Sequence, residues 1–314
     1  MFSLKKWSSK WQNQKYLQPK CDRFLSLFPK SVKIERVASG FEFTEGPIWM
    51  AEDRCLLFSD IPASKIFKLS ADRRVSIFRD PSDNCNGLTR DRQGRLLACE
   101  HGSRRVTRTE PDGKIVVLSD RFDDRKLNSP NDIIVKSDGT IYFTDPTYGI
   151  RSEQQEQPFQ GVYRLSSDGL DLSIIVDDFI APNGLAFSPD ELTLYIDDSA
   201  PERCHIRAFD VRSDGTIDGD RVFADLTTPG KSGVPDGMKV DRQGLLYATG
   251  PGGVWVFEPD GNHLGTIELP EQPANCAWGD PDWCSLYITA QTSVYKIRVN
   301  TPGIAAYEYS SPPY

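Results

Sequence analysis

The chain has 314 residues, of which 38% are hydrophobic and 26% are charged, and its formal net charge is −8. This composition is typical of a folded globular protein and excludes a largely disordered chain. An acidic chain lacks the basic surface that nucleic acids require, which argues against a nucleic-acid partner.

The first 30 residues are predicted to form an N-terminal extension ahead of one folded domain, residues 31–314. The extension carries seven Lys or Arg residues, and Trp7 and Trp11 lie about one helical turn apart. Either it packs over the domain, or it forms an amphipathic helix that binds a membrane surface or a partner. It lacks the apolar run of a secretory signal, and no apolar run in the chain reaches the ~20 residues that span a bilayer. Seven scattered Cys residues without metal-binding spacing complete the prediction of a cytoplasmic protein with reduced thiols.

Six segments after the extension repeat one pattern. A polar residue opens an apolar strand, a hairpin turn follows seven residues later, and a second β-forming strand comes next. The opening residues, here termed openers, are Glu45, Asn86, Asn131, Asn183, Asp236 and Asn275. Repeats of about 40–50 residues with four short strands each are the signature of propeller blades. The sequence therefore predicts an all-β fold, a six-bladed β-propeller.

The sixth repeat is shorter than the others. After Asn275 the chain has room for three strands rather than four. Residues 32–41, which precede Glu45, have the pattern of an outer strand. We expect this N-terminal strand to complete the last blade, because closure of the ring removes an open sheet edge.

The inner strands of a propeller surround a channel, so the six openers are expected to meet at one end of it. Glu45 and Asp236 supply carboxylates there, and the other four supply amide oxygens. Oxygen ligands without His or Cys favour Ca²⁺ or Mg²⁺ over zinc. A competing interpretation is that Asn-Gly pairs such as Asn86-Gly87 are ordinary hairpin turns, although Glu45 is not a turn former.

Five stretches of the chain resemble the gluconolactonase/regucalcin family, in its bacterial gluconolactonase-like branch. They are TEGPIW, NGLTRDRQGRLLACEHGSRRVTR, LNSPNDIIVKSDGTIYFTDPTYG, APNGLAFSPDELTLYIDDS and VPDGMKVDRQGLLYATG. The resemblance covers about residues 32–298 and implies a divalent metal at the top of the channel, usually Ca²⁺, with Zn²⁺, Mn²⁺ and Mg²⁺ as alternatives. It also implies hydrolysis of sugar lactones, so a small lactone is the expected partner.

The resemblance also implies roles for individual residues. By position in these stretches, Glu45, Asn183 and Asp236 look like metal ligands. Asn131 matches a position that binds the metal in some relatives and contacts substrate in others. Regucalcin-like members have an Arg two residues before that Asn, whereas this chain has Ser129, so a sugar-acid contact of the regucalcin type is not expected.

The resulting hypothesis is metal-assisted hydrolysis of a lactone. The cation polarises the lactone carbonyl, while Asp236 orients or deprotonates the attacking water. Asn131 is assigned both a catalytic and a substrate-binding role. His101 and Asp145, at the ends of second strands, are expected to shape the substrate pocket, although His101 also fits a purely structural role. An organophosphate hydrolase with the same metal site and a non-catalytic Ca²⁺-binding propeller stay open as alternatives.

Overall fold

The strands of the computed structural model, which describes residues 15–305, form six main antiparallel sheets. Each main sheet is one blade of a β-propeller, and its strands run in order from the central channel to the outside. This arrangement confirms the predicted all-β, six-bladed β-propeller.

The chain enters through three short elements: strand β1 (Leu17–Pro19), helix α1 (Asp22–Ser26) and strand β2 (Ile34–Ser39). Blade 1 follows as β3 (Thr44–Met50), β4 (Cys55–Asp60), β5 (Lys65–Ser70) and β6 (Val75–Arg79). Blade 2 consists of β7 (Cys85–Arg90), β8 (Leu96–Glu100), β9 (Arg105–Thr109) and β10 (Ile115–Ser119). A small hairpin leads out of blade 2, and its strands are β11 (Arg121–Phe122) and β12 (Arg125–Lys126).

Blade 3 consists of β13 (Ile133–Val135), β14 (Ile141–Asp145), β15 (Gln160–Leu165) and β16 (Leu172–Phe179). Blade 4 consists of β17 (Pro182–Phe187), β18 (Thr193–Asp198), β19 (His205–Val211) and β20 (Ile217–Asp225). Blade 5 consists of β21 (Met238–Val240), β22 (Leu246–Gly250), β23 (Gly253–Phe257) and β24 (His263–Glu268). Blade 6 supplies β25 (Pro273–Gly279), β26 (Ser285–Ala290) and β27 (Ser293–Arg298). Two 3₁₀ turns lie in the connections of blades 3 and 4, at Ser152–Gln154 and Pro201–Arg203.

The apolar core is a ring of clusters, one between each pair of neighbouring blades. Leu57 of blade 1 packs in one cluster with Leu88 of blade 2. On the other side of blade 1, Trp49 stacks on Tyr287 of blade 6, with ring centroids 5.7 Å apart. Because each blade is covered on both faces, both sets of alternating side chains on an inner strand must be buried. The ring of cores therefore holds the inner strands, and the openers they carry, in fixed relative positions.

The last blade is completed from the N-terminus. Strand β2 pairs antiparallel with β27, and Ile34 lies opposite Ile297 in the register. This pairing confirms the predicted closure by residues 32–41. The physical reason is that the first and last segments of the chain become neighbouring strands, so that unfolding one end exposes the sheet edge of the other.

The described part of the extension packs on the outside of the ring. Strand β1 pairs with β24 as a fifth strand of blade 5, and Phe24 of helix α1 is fully buried in the cluster between blades 5 and 6. Trp7 and Trp11 lie outside the described residues. The domain boundary at residue 30 stays a prediction. Within residues 15–305 no helix has the length and apolar character needed to cross a membrane.

The two ends of the channel differ in chemistry. At the end opposite the openers, Gly303 forms a β-bridge with Asp241 of blade 5. Ile304 there closes a mostly apolar cavity of about 60 Å³ together with side chains that include Ile48 and Leu88. Polar groups are concentrated at the other end, where the openers meet.

Candidate functional site

The openers lie at irregular points of the inner strands. In blades 1, 2 and 4 the register between the first and second strands shifts at the opener, at Glu45, after Cys85 and after Pro182. Such a shift is a β-bulge, which bends a strand and re-aims its side chains. The pairs Asn86-Gly87 and Asn183-Gly184 therefore lie inside strands β7 and β17. The alternative interpretation of these two pairs as hairpin turns is wrong.

The glycines that follow two openers are explained by the close approach of neighbouring blades. A Cβ atom on Gly87 would lie 2.4 Å from the carbonyl oxygen of Asn131, and one on Gly184 would lie 2.1 Å from that of Asp236. The Gly87 amide instead donates a hydrogen bond of 2.8 Å to the Asn131 carbonyl. Only glycine permits this distance between backbones, so each opener is placed against the next one around the channel.

Glu45 and Asp236 form a carboxyl pair. Glu45 is 2% exposed, Asp236 is partly exposed, and their carboxyl groups are close neighbours. The Asn275 amide donates to Glu45 Oε2 at 3.0 Å. Burial raises the pKa of both carboxyl groups, and for Asp236 the proximity of Glu45 raises it further. Two neighbouring carboxyl groups titrate as a pair, because ionisation of one disfavours ionisation of the other.

The amide openers of blades 2, 3 and 4 form a continuous hydrogen-bond network. Asn86 Nδ2 donates to Asn131 Oδ1 at 2.5 Å, and Asn131 Nδ2 donates to Asn183 Oδ1 at 2.5 Å. His101 Nε2 lies 3.2 Å from the same Asn131 Oδ1. Burial lowers the pKa of His101 to about 4, so the imidazole is neutral near pH 7. The predicted site residues His101, Asn131 and Asn183 are thus brought together.

Three buried aspartates, here termed loop clamps, hold the approach to three openers. Each accepts hydrogen bonds of 2.7–3.1 Å from the two backbone amides located three and two positions before an opener. The clamps are Asp60 for Glu45, Asp145 for Asn131 and Asp198 for Asn183. The sequence analysis assigned Asp145 to the substrate pocket and did not predict this role. Their signal in the sequence is the repeated Asp 14 or 15 residues after an opener.

Asp145 illustrates the difference between the expected and the observed environment. Its exposed fraction is 0%, and burial raises its pKa to about 7 against the opposing effect of the bound backbone amides. Its two oxygens accept from the Asn128 and Ser129 amides, both at 2.7 Å. A contact of Asp145 with substrate stays a prediction, whereas its hold on the segment before Asn131 is observed.

The opener of blade 5 is held differently. Gly250 stands at the position where blades 1, 3 and 4 have a clamp, and residues 226–237 before the strand contain no regular strand. Ser199 Oγ, at the end of blade 4, donates to the carbonyl oxygen of Pro235 at 2.5 Å. The Tyr148 hydroxyl lies beside the same Ser199 side chain, with Asp236 nearby. Sequence reasoning missed both Ser199 and Tyr148.

The donor chemistry of the site fits a hard divalent cation. Glu45, Asn183 and Asp236 offer oxygen atoms, and Asp132 behind them has a buried Oδ2 with no hydrogen-bond partner in the described structure. Asn131 Oδ1 accepts from Asn86 and lies near His101 Nε2, so direct ligation by this oxygen requires its amide to turn, whereas Asn183 Oδ1 accepts one hydrogen bond, from Asn131, and keeps a second lone pair for a cation. No group of three or more His, Cys, Asp and Glu side chains suited to a metal occurs in residues 15–305. The set that fits combines two carboxylates with amide oxygens, as Ca²⁺ sites do.

Comparisons with known proteins agree with the fold. The family described as SMP-30/Gluconolactonase/LRE-like region matches residues 43–292. A gluconolactonase of Zymomonas mobilis is 35% identical over 91% of this chain and 85% of its own length. The structure of a gluconolactonase from Xanthomonas campestris is 36% identical, covers 90% of this chain and 94% of its own, and superposes with a TM-score of 0.83.

A more distant structure extends this likeness. A regucalcin from Agrobacterium tumefaciens, described as a calcium-binding protein, is 19% identical and superposes with a TM-score of 0.75 over 89% of this chain and 97% of its own. At this identity the likeness concerns the fold.

Proposed function

The chain belongs to the SMP-30/gluconolactonase/LRE-like family, and from this we propose that it is a divalent-metal-dependent lactonase that opens the ring of a sugar lactone or a related lactone. The relatives support a lactonase, and the metal and the roles below are our proposal. The observation that carries it is the carboxyl pair of the buried Glu45 and the partly exposed Asp236, placed beside the amide network at the polar end of the channel.

In this proposal Glu45, Asn183 and Asp236 hold the cation, which is Ca²⁺ by donor chemistry. When bound, the cation supplies Lewis-acid polarisation of the ester carbonyl. Asn131 is a ligand after its amide turns, or a substrate contact. The regucalcin described as calcium-binding supports a divalent metal in this fold.

Asp236 is proposed to orient the attacking water and accept its proton. It is partly exposed, whereas Glu45 is 2% exposed, so water reaches Asp236 from the channel mouth. The neutral His101 holds Asn131 Oδ1 and limits the substrate space on the side of blade 2. Glu45, whose oxygen also accepts from Asn275, is assigned to holding the cation alone.

The test is a lactone panel assayed after metal removal with a chelator and re-addition of Ca²⁺, Mg²⁺, Mn²⁺ or Zn²⁺. We expect turnover to be lost on chelation and restored by at least one cation. Turnover that persists in the fully stripped protein would contradict the metal dependence. Turnover of a phosphotriester without lactone turnover favours the organophosphate hydrolase, and cation binding without any turnover favours the non-catalytic propeller.

A further inference from the structure

Tyr148 lies on the connection between β14 and β15, residues 146–159, and reaches across the mouth of the channel. Its hydroxyl lies beside Ser199, at the end of blade 4, and near Asp236. Ser199 in turn donates to the carbonyl of Pro235, the residue before Asp236. The Tyr148 side chain therefore lies next to the segment of blade 5 that carries Asp236, the proposed water-activating carboxylate.

The turn that carries Tyr148 is held against the candidate site. The Gly149 amide donates to Ser129 Oγ at 2.8 Å, and the Thr147 amide donates to Gln160 Oε1 at 3.0 Å. A Cβ atom on Gly149 would lie 2.3 Å from Ser129 Oγ and 2.7 Å from His101 Cβ. The turn thus packs directly on His101, which fixes the position of the neighbouring Tyr148 backbone.

The side chain of Tyr148 is exposed to solvent, although its hydroxyl lies beside Ser199. The residue is 53% exposed, more than Phe43 at 37% or Phe78 at 42%. An exposed aromatic ring beside a polar site has the properties of a ligand contact. The carboxylates of Asp197, Asp198 and Asp236 lie near this ring, so the ring adds an apolar surface to polar surroundings.

We propose that Tyr148 is a substrate-contact residue whose ring stacks on the C–H face of a polyhydroxylated lactone, and that it makes aldonolactones better substrates than unsubstituted lactones. The negative face of an aromatic ring attracts polarised C–H bonds. Carbons that carry hydroxyl groups have more strongly polarised C–H bonds than plain methylene carbons. The amides and carboxylates of the site are left to bind the hydroxyl groups. This inference rests on the proposed lactonase activity.

The test compares D-glucono-1,5-lactone with δ-valerolactone, which has the same ring without hydroxyl groups. In Tyr148→Ala we expect KM for the gluconolactone to rise by about 3- to 10-fold, the range of an aromatic contact. We expect kcat to change little, and kcat/KM for δ-valerolactone to stay within about 2-fold. Tyr148→Phe keeps the ring and should stay close to wild type. Phe78→Ala, on the outer strand of blade 1, is the matched control for loss of an exposed aromatic ring.

Calcium binding is measured by titration calorimetry and stability by thermal unfolding for each variant. A purely structural role of Tyr148 would change the calcium affinity or the unfolding temperature. If Tyr148→Ala does not fold, Tyr148→Leu is measured in its place. An unchanged KM, or an equal loss for both lactones, overturns the inference while leaving the lactonase activity intact. A wild-type protein that hydrolyses neither lactone refutes the proposed function, and this inference with it.

Discussion

The openers of blades 3 and 5 are both expected at the cation, yet the structure holds them in opposite ways. Asn131 of blade 3 is 2% exposed, and the segment before it is clamped by both oxygens of Asp145. Asp236 of blade 5 is partly exposed, and the segment before it contacts blade 4 through the Leu226 amide on the Cys204 carbonyl and the Ser199 hydroxyl on the Pro235 carbonyl. The difference indicates that Asn131 presents its oxygen from a fixed position, whereas Asp236 stays accessible to water.

The largest expected effect separates the two carboxylates of the pair. Asp236→Asn keeps an oxygen but removes the proton acceptor, so kcat should fall by about 10²–10⁴-fold even at saturating Ca²⁺. Glu45→Gln removes a ligand charge without a proposed proton acceptor, so excess Ca²⁺ should largely restore its turnover. Lactonase activity of both variants, titrated with Ca²⁺, measures this. Near wild-type turnover of Asp236→Asn at saturating metal would show that Asp236 is only a ligand.

The same pair predicts an unusual dependence of stability on pH in the chelated protein. Burial raises the pKa of Glu45 from 4.5 to about 7, so between these values the native state binds more protons than the unfolded state. The free energy of unfolding should therefore fall as pH rises through this window, by on the order of 3 kcal/mol at most. Urea unfolding with chelator at pH 5 and pH 8 measures the change.

The control for this pH effect is Glu45→Gln, which removes the titrating group. Other buried carboxyl groups, such as Asp145, shift in the same direction, so the difference between wild type and variant isolates the pair. Added Ca²⁺ should restore stability at pH 8, because the cation binds the native state and not the unfolded state. If the free energy of unfolding changed with pH equally in wild type and in Glu45→Gln, the prediction would be wrong.

A smaller effect is expected from weakening a clamp. In Asp145→Asn one carboxylate oxygen becomes an NH₂ group that faces a backbone N–H, which should lower the free energy of unfolding by about 1–3 kcal/mol. Asp177→Asn, an exposed residue on β16, removes the same charge without a clamp and should stay within about 0.5 kcal/mol of wild type. Urea unfolding at pH 8 compares them. Equal stabilities would mean that the segment before Asn131 is held by packing alone.

The smallest effect is expected at Ser199, which contacts the segment before Asp236. Ser199→Ala removes the hydroxyl that donates to the Pro235 carbonyl and lies beside Tyr148. A single such hydrogen bond contributes about 1 kcal/mol to stability. We expect an activity loss of less than about 10-fold with normal Ca²⁺ binding, because no proposed ligand is altered. Urea unfolding measures the change in stability, and steady-state kinetics measures the change in activity. A loss as large as that of Asp236→Asn would place Ser199 in the chemistry itself.

Much of the fold was readable from the sequence because its signals are local. The seven-residue spacing from each opener to its hairpin turn predicts paired strands, and the missing strand after Asn275 predicts closure by residues 32–41, as the pairing of β2 with β27 shows. The chemistry of the openers was also readable, since two carboxylates and four amides recur at one position of the repeat. These patterns depend on residue type and spacing alone.

The tertiary structure decided how each of these polar residues is used. Asp145 and Asp236 are both acidic residues at or near a strand terminus, yet one accepts two backbone amides and the other is a close neighbour of Glu45. Likewise Gly87 looks like a turn glycine, but contact with the next blade explains it. The sequence by itself determined the six-bladed ring and the oxygen donors at its axis, because strand periodicity is local. Which donors are buried, clamped or open to water depends on contacts between blades far apart in the chain, and only the folded ring sets these.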